Sequence, residues 1–236
     1  MKELKNWDYK TWLSSSSYIR SFNSFLLKKK KLNKNSRILD IGCGRGKIFG
    51  SLSRELKLIN YPIGIDLVPH KDVDRSIDFK NEDILKFFKN NQNKFDLIMI
   101  KQTLHFFNKD KRSKLIKICK NNLKKNGVLI IFSLNTLNNK IPCFKLMKQK
   151  LNKGLERDSR MLKSACKLLK NHKLDKFKFK VSITKNKYIK MLKQKYISCL
   201  VNLNKKQINE GLKEINNLYP NKLIFDDVLI CVKYKN

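Results

Sequence analysis

The residues best suited to chemistry lie in Arg37-Ile-Leu-Asp-Ile-Gly-Cys-Gly-Arg-Gly46, where a short apolar run ends on an acid and passes into a glycine-rich turn. Gly42, Gly44 and Gly46 can take positive φ and place no Cβ in the way of a ligand, so the main chain can approach a nucleotide-bearing molecule closely. Ile38, Leu39 and Ile41 suit a buried strand. The helix expected from Arg45 to about Leu56 offers free N-terminal amides to an acceptor group. Three glycine-loop chemistries compete. A Walker phosphate loop needs four residues between its glycine and Gly-Lys-Ser/Thr; Gly42 to Gly46 encloses three, and Lys47 is followed by Ile48, so that reading fails. A G-x-G-x-x-G dinucleotide fingerprint wants its third glycine where Lys47 stands, which weakens it. The pattern left is D-x-G-x-G-x-G at the end of a first strand.

With its downstream elements this pattern resembles the class I S-adenosylmethionine-dependent methyltransferases, in a form like the type 11/25 domains, over roughly residues 36–134. Pro62-Ile-Gly-Ile-Asp-Leu67 ends in Asp66, twenty residues beyond Gly46. Phe79-Lys-Asn-Glu-Asp-Ile84 follows, then the apolar strand Phe95-Asp-Leu-Ile-Met-Ile100, the segment Lys101-Gln-Thr-Leu-His-Phe-Phe107 and a fifth strand, Gly127-Val-Leu-Ile-Ile-Phe132. The resemblance implies S-adenosylmethionine as cofactor. Asp40, Gly42, Cys43, Gly44, Gly46 and the Lys101 carbonyl would surround its methionine portion, Asp66 its ribose, and Leu67, Asp83 and Ile84 its adenine. It also implies an acceptor-side role for His105, which could act as a general base; Lys101 and Gln102 flank the same mouth and could orient a carboxylate. No metal is required. An Asn/Asp-Pro-Pro-Tyr/Phe quartet for adenine amino groups is missing where Lys101-Gln-Thr-Leu stands, and the only Pro-Cys pair, Pro142-Cys143, falls after the fifth strand. The segment Tyr188–Leu200, with Asn209–Ile215 and Phe225-Asp-Asp, is faintly similar to the trans-aconitate type of small-acid methyltransferase.

The fold expected is α/β: a Rossmann-like seven-stranded, mostly parallel sheet with helices on both faces, an N-terminal helical lid, and a helical insertion between the last two strands. Residues 1–35 form the lid, with Tyr18, Phe22, Phe25 and Leu26 spaced for one helical face. Trp7, Trp12 and Tyr18 are substrate-side candidates within it. Residues 36–236 form a single cofactor-binding domain whose substrate-side helices span 142–219. Residues 143–172 read as helical, and Arg157 and Arg160, two of only eight arginines, are candidate anion clamps there. Phe177–Ile183 alternates as a strand, Leu223–Phe225 with Val228–Val232 forms the last, and 185–195 and 205–218 are helical between them.

At 236 residues the chain can bury a substantial core. Six cysteines without a C-x-x-C pair or a histidine cluster indicate neither zinc nor a disulfide framework. There is no run of 18 apolar residues, and Met1–Trp7 lacks an export signal, so a cytoplasmic monomer or weak dimer is expected. The net charge is +35, but it is carried by 46 Lys against 8 Arg, beside 26 Asn and a single Ala, the signature of AT-rich coding spread over a whole surface. Nucleic-acid binders concentrate charge on one face, whereas here only Lys28–Lys31 makes a run of four. A small-molecule acceptor methylated on O or N is therefore expected. A tRNA or RNA methyltransferase and a non-catalytic cofactor-binding protein are the alternatives.

Overall fold

A computed structural model describes residues 7–236, so the export-signal reading of the first six residues, and their part of the lid, lie outside what it describes. Seven strands form one sheet: β1 Ile38–Ile41, β2 Ile63–Ile65, β3 Asp78–Lys80, β4 Phe95–Lys101, β5 Leu123–Leu134, β6 Lys173–Thr184 and β7 Lys222–Lys235. Their order is β3-β2-β1-β4-β5-β7-β6. The first five strands pair in parallel, and β7 enters antiparallel beside β5 and carries β6 at the edge. This is the expected Rossmann-like sheet.

Side chains alternate between faces along each strand, and β5 shows what that achieves. Val128, Ile130 and Phe132 enter one core, Leu129 and Ile131 the other. Helices α1 (Ser16–Lys29) and α2 (Lys47–Leu56) cover the first face; α3 (Ile84–Asn90) and α4 (Lys109–Asn121) cover the second. The long α5 (Lys145–Leu168) contributes Met147 to the first core and Leu162 and Ala165 to the second. Between the last two strands lie α6 (Lys185–Lys193) and α7 (Lys205–Leu218), the expected helical insertion, with a capping box at Asn204 and Gln207.

Several boundaries differ from expectation for local reasons. Helix α2 starts at Lys47, because Gly46 is left-handed (φ 67°) and cannot be a helical residue. Asp83 is not a strand end: its side chain accepts from the Leu85 and Lys86 amides and caps α3. In β5 the pairing begins at Leu123, opposite Phe95, and a register shift restores Leu97 opposite Val128. Tyr18, Phe22 and Leu26 of α1 are fully buried, so this face of the helix packs into the core. The edge strand β6 carries Lys173, Lys176, Lys178 and Lys180 at exposed positions, charges that discourage pairing with another chain.

Candidate functional site

The carboxyl ends of the parallel strands share one rim, and the side chains there fall in sheet order: Asp66 after β2, Asp40 on β1, Lys101 ending β4, and Ser133 and Leu134 on β5. Asp227 on β7 lies just beyond, two residues before Leu229, the partner of Leu134. A cavity of about 470 Å³ opens on this rim. The glycine loop is tied to β2 by the Gly42 and Cys43 amides, which both donate to the Ile65 carbonyl, and by the Gly44 amide, which donates to Asp66 Oδ2 at 2.8 Å. Asp66 Oδ1 accepts from the Val68 amide. All three loop glycines have positive φ, and a Cβ on Gly42 would lie 2.1 Å from Thr103 Oγ1, so the loop can be built only from glycine there. Trp7 covers the loop from above, 2.7 Å from where a Gly44 Cβ would be.

Asp40 is 3 % exposed and accepts no hydrogen bond from any described residue. A buried carboxylate without a donor is costly, and burial pushes its pKa up to about 8 against the opposing field of Lys101. Lys101 is the reciprocal case: burial pulls its ammonium down to about 8, while Asp227, Asp40 and Asp8 favour the charge. Its Nζ lies 5.1 to 5.6 Å from the ring centres of Trp7, Tyr18 and Phe22 and 3.3 Å from Gln102 Oε1. Gln102 itself is left-handed (φ 53°), a strained conformation for this residue, directly after the strand. His105 lines the cavity with Nε2 buried and unpartnered among the described residues, and burial lowers its pKa, which keeps the ring neutral near pH 7. A buried acid without a donor among the described residues, next to a second acid that lines the cavity, fits a ligand with a cationic head and a ribose. Among the described residues no group of His, Cys, Asp or Glu could hold a metal ion, and no helix is long and apolar enough to cross a membrane.

Residues 39–131 match the family model described as a methyltransferase domain. The whole architecture matches solved methyltransferases. The plantazolicin methyltransferase BpumL, in complex with SAH and a monoazolic substrate analogue, is 16 % identical with a TM-score of 0.54, over 98 % of this chain and 88 % of that one. The precorrin-6y C5,15-methyltransferase of Geobacter metallireducens is 13 % identical with a TM-score of 0.51, over 90 % and 87 %. This is the class I methyltransferase fold. No protein of curated function matches the chain.

On this methyltransferase fold, the site residues expected from the sequence divide into two groups. Gly42, Asp66, Leu67, Asp83, Ile84, Lys101, Gln102, His105, Trp7 and Trp12 all line the one cavity. Asp40, Gly44 and Gly46 are not among its lining residues; Asp40 lies on β1, the strand that leads into the loop, and Gly42 is the loop glycine that reaches the cavity. Three expectations are corrected. The Cys43 thiol turns inward, 2.9 Å from where a Gly64 Cβ would be, so only its main chain can serve a ligand. Tyr18 does not reach the cavity; it packs on Phe177 and Phe179, with its hydroxyl buried and unpartnered among the described residues. Arg157 and Arg160 are exposed on α5, outside the lining, and Arg157 pairs with its neighbour Asp158, which is the residue that faces the cavity. The helical phase thus presents a carboxylate where a guanidinium clamp was expected.

The sequence reading missed Asp227, Tyr196 and Asp158 as lining residues of this cavity. A signal for Asp227 exists. Phe225, Asp227, Leu229 and Cys231 alternate along β7, so this acid occupies a core-facing position, where an acid is expensive and needs a purpose.

Proposed function

We propose that this chain transfers a methyl group from S-adenosylmethionine to O or N of a small-molecule acceptor. The observation that carries the reading is Asp40: a buried carboxylate with no donor among the described residues, on the strand that leads into the glycine loop and next to Asp66, matches the cationic head and ribose of that molecule. When bound, S-adenosylmethionine supplies an electrophilic methyl on a sulfonium. Asp40 and the loop carbonyls then hold the ammonium, Asp66 the ribose hydroxyls, and Leu67 and Ile84 flank the base, whose edge faces Asp83. His105, kept neutral by burial, can accept the proton of a hydroxyl acceptor; the aromatic walls exclude water and fix the approach.

Charge supports a small acceptor over RNA. On a chain of net charge +35, the cavity is lined by five carboxylates (Asp66, Glu82, Asp83, Asp158, Asp227) and two lysines (Lys101, Lys111). The lysine excess lies outside, and the inside is acidic, which suits a cationic donor and repels phosphate. A cytoplasmic, monomeric or weakly associating enzyme remains the working description.

Isothermal titration with S-adenosylhomocysteine is expected to show saturable binding that Asp66→Ala weakens at least tenfold; equal affinity in the variant would remove the ribose assignment. With a hydroxyl acceptor in hand, His105→Gln is expected to lower turnover by about 10²- to 10⁴-fold, the range for a lost general base, with S-adenosylhomocysteine affinity kept. Unchanged turnover would leave His105 as a wall of the cavity only.

A further inference from the structure

The acceptor end of the cavity contains a second buried carboxylate that donor binding does not use. Asp227 is 2 % exposed, and Trp12 donates its indole N–H to Oδ2 at 3.0 Å. Its other oxygen accepts no hydrogen bond from a described residue, and Asp227 lines the cavity. Trp12 is fixed in turn by edge contacts to Tyr196 and Phe225, each with ring centres 5.3 Å away. Tyr196, Leu134, Ile141 and Ile197 complete an apolar chamber around that carboxylate. Along the rim, Asp227 lies on the β5–β7 side of Lys101, away from the glycine loop and Asp66.

Three kinds of acceptor head could meet this chamber. A carboxylic acid would have to place its charge beside Asp227. The one lysine at this end, Lys101, already lies in the fields of Asp227 and Asp40, so it has no surplus charge to offer an acid. An alcohol would bring a hydrogen-bond donor but no positive charge to Asp227 and Asp40, which share the single Lys101. A protonated amine matches it, since the free carboxylate oxygen accepts its N–H in a charge-assisted hydrogen bond.

We propose that the acceptor is a primary or secondary amine on a compact apolar or aromatic body, its nitrogen held by the free oxygen of Asp227 beside Trp12 and Tyr196. The inference rests on the methyl-transfer reading for its chemistry, but the binding it predicts stands without it. The amine enters as ammonium and passes one proton to Asp227. The freed nitrogen lone pair forms the new C–N bond as the C–S bond of the methylsulfonium breaks, and sulfur keeps the bonding pair as a neutral thioether. The N-methylammonium product leaves with its charge, and Asp227 returns its proton to solvent.

The test titrates the full chain, with and without S-adenosylhomocysteine, with butylamine, 2-phenylethylamine and tryptamine, and with 3-phenylpropanoate and 2-phenylethanol as shape-matched acid and alcohol. At least one amine is expected to bind ten times more tightly than the acid and the alcohol. Asp227→Asn, which keeps an oxygen for the Trp12 N–H, is expected to lose tenfold or more of that affinity while S-adenosylhomocysteine binding stays within twofold. Should Asp227→Asn fail to fold, Trp12→Phe, which keeps a ring and removes the N–H that orients the carboxylate, is expected to lose threefold or more. No amine binding, preference for the acid or alcohol, or amine affinity unchanged in the variant overturns the assignment. Absence of S-adenosylhomocysteine binding, with amine binding intact, overturns the donor reading instead.

Discussion

Asp40→Asn is expected to make the ligand-free protein more resistant to unfolding than the parent, by a margin that widens from pH 5 to pH 8, while weakening S-adenosylhomocysteine binding roughly 10- to 100-fold. Both effects have one cause. The Asp40 carboxyl titrates near its ordinary value of 3.8 when unfolded and at about 8 when folded. A folded pKa raised in this way costs nothing below the unfolded pKa. The penalty then grows as pH rises, because the unfolded chain ionises and the folded chain resists, and it levels off above about 8. At about 1.4 kcal/mol per pH unit, the span from pH 5 to pH 8 corresponds to roughly 4 kcal/mol, or about 10 °C in Tm for a chain of this size. Lys101, lowered to about 8, begins to lose its charge only at the top of this window, so its own cost is nearly constant below about pH 7. Asparagine adds a fixed desolvation cost that the pH comparison subtracts. Melting curves at three pH values, with the ligand titration alongside, decide the matter. A margin that does not change with pH would mean that Asp40 is already satisfied in the folded protein.

Phe22→Ala is expected to cost about 3–5 kcal/mol of unfolding free energy, the range for emptying a fully buried aromatic site, with a fall in Tm on the order of 10 °C. Phe22 is fully buried, with ring centres 4.8 Å from Phe132 on β5 and 4.9 Å from Phe177 on β6, and it stacks on Tyr18. Few rings nearby can move into the gap, because Phe132 and Phe177 are held by strands and Tyr18 by the turn of α1 before it. Denaturant melts would read the loss directly. A cost below 1 kcal/mol would show that α1 is a detachable cover, as the lid expectation held, rather than part of the core.

The parallel core was legible because β1, β4 and β5 are buried on both faces and therefore read as unbroken apolar runs, Ile38-Leu39, Leu97–Ile100 and Val128–Phe132, each followed by a loop that can reach the rim. Donor-side residues were legible for the same reason: a strand that ends at a rim fixes where the next residue points. The acceptor side comes from elements whose phase the sequence leaves open. On α5 a single residue is a rotation of about 100°, so Arg157 and Asp158 exchange roles with a small error in phase. On β7 the alternation was visible, but which parity faces the cavity depends on β5 pairing, a contact made a hundred residues away in the chain. Asp83 was placed on the rim by motif position, yet its work as the α3 cap followed from local amides alone.

The chain has two tryptophans, and both stand in the cavity wall, Trp7 over the glycine loop and Trp12 on Asp227. The indole emission of this molecule is therefore silent about the rest of the fold and speaks only for the site, one fluorophore at each end. With Trp7→Phe and Trp12→Phe in hand, the order in which two ligands arrive becomes a question of colour and time, readable in a stopped-flow trace without any label.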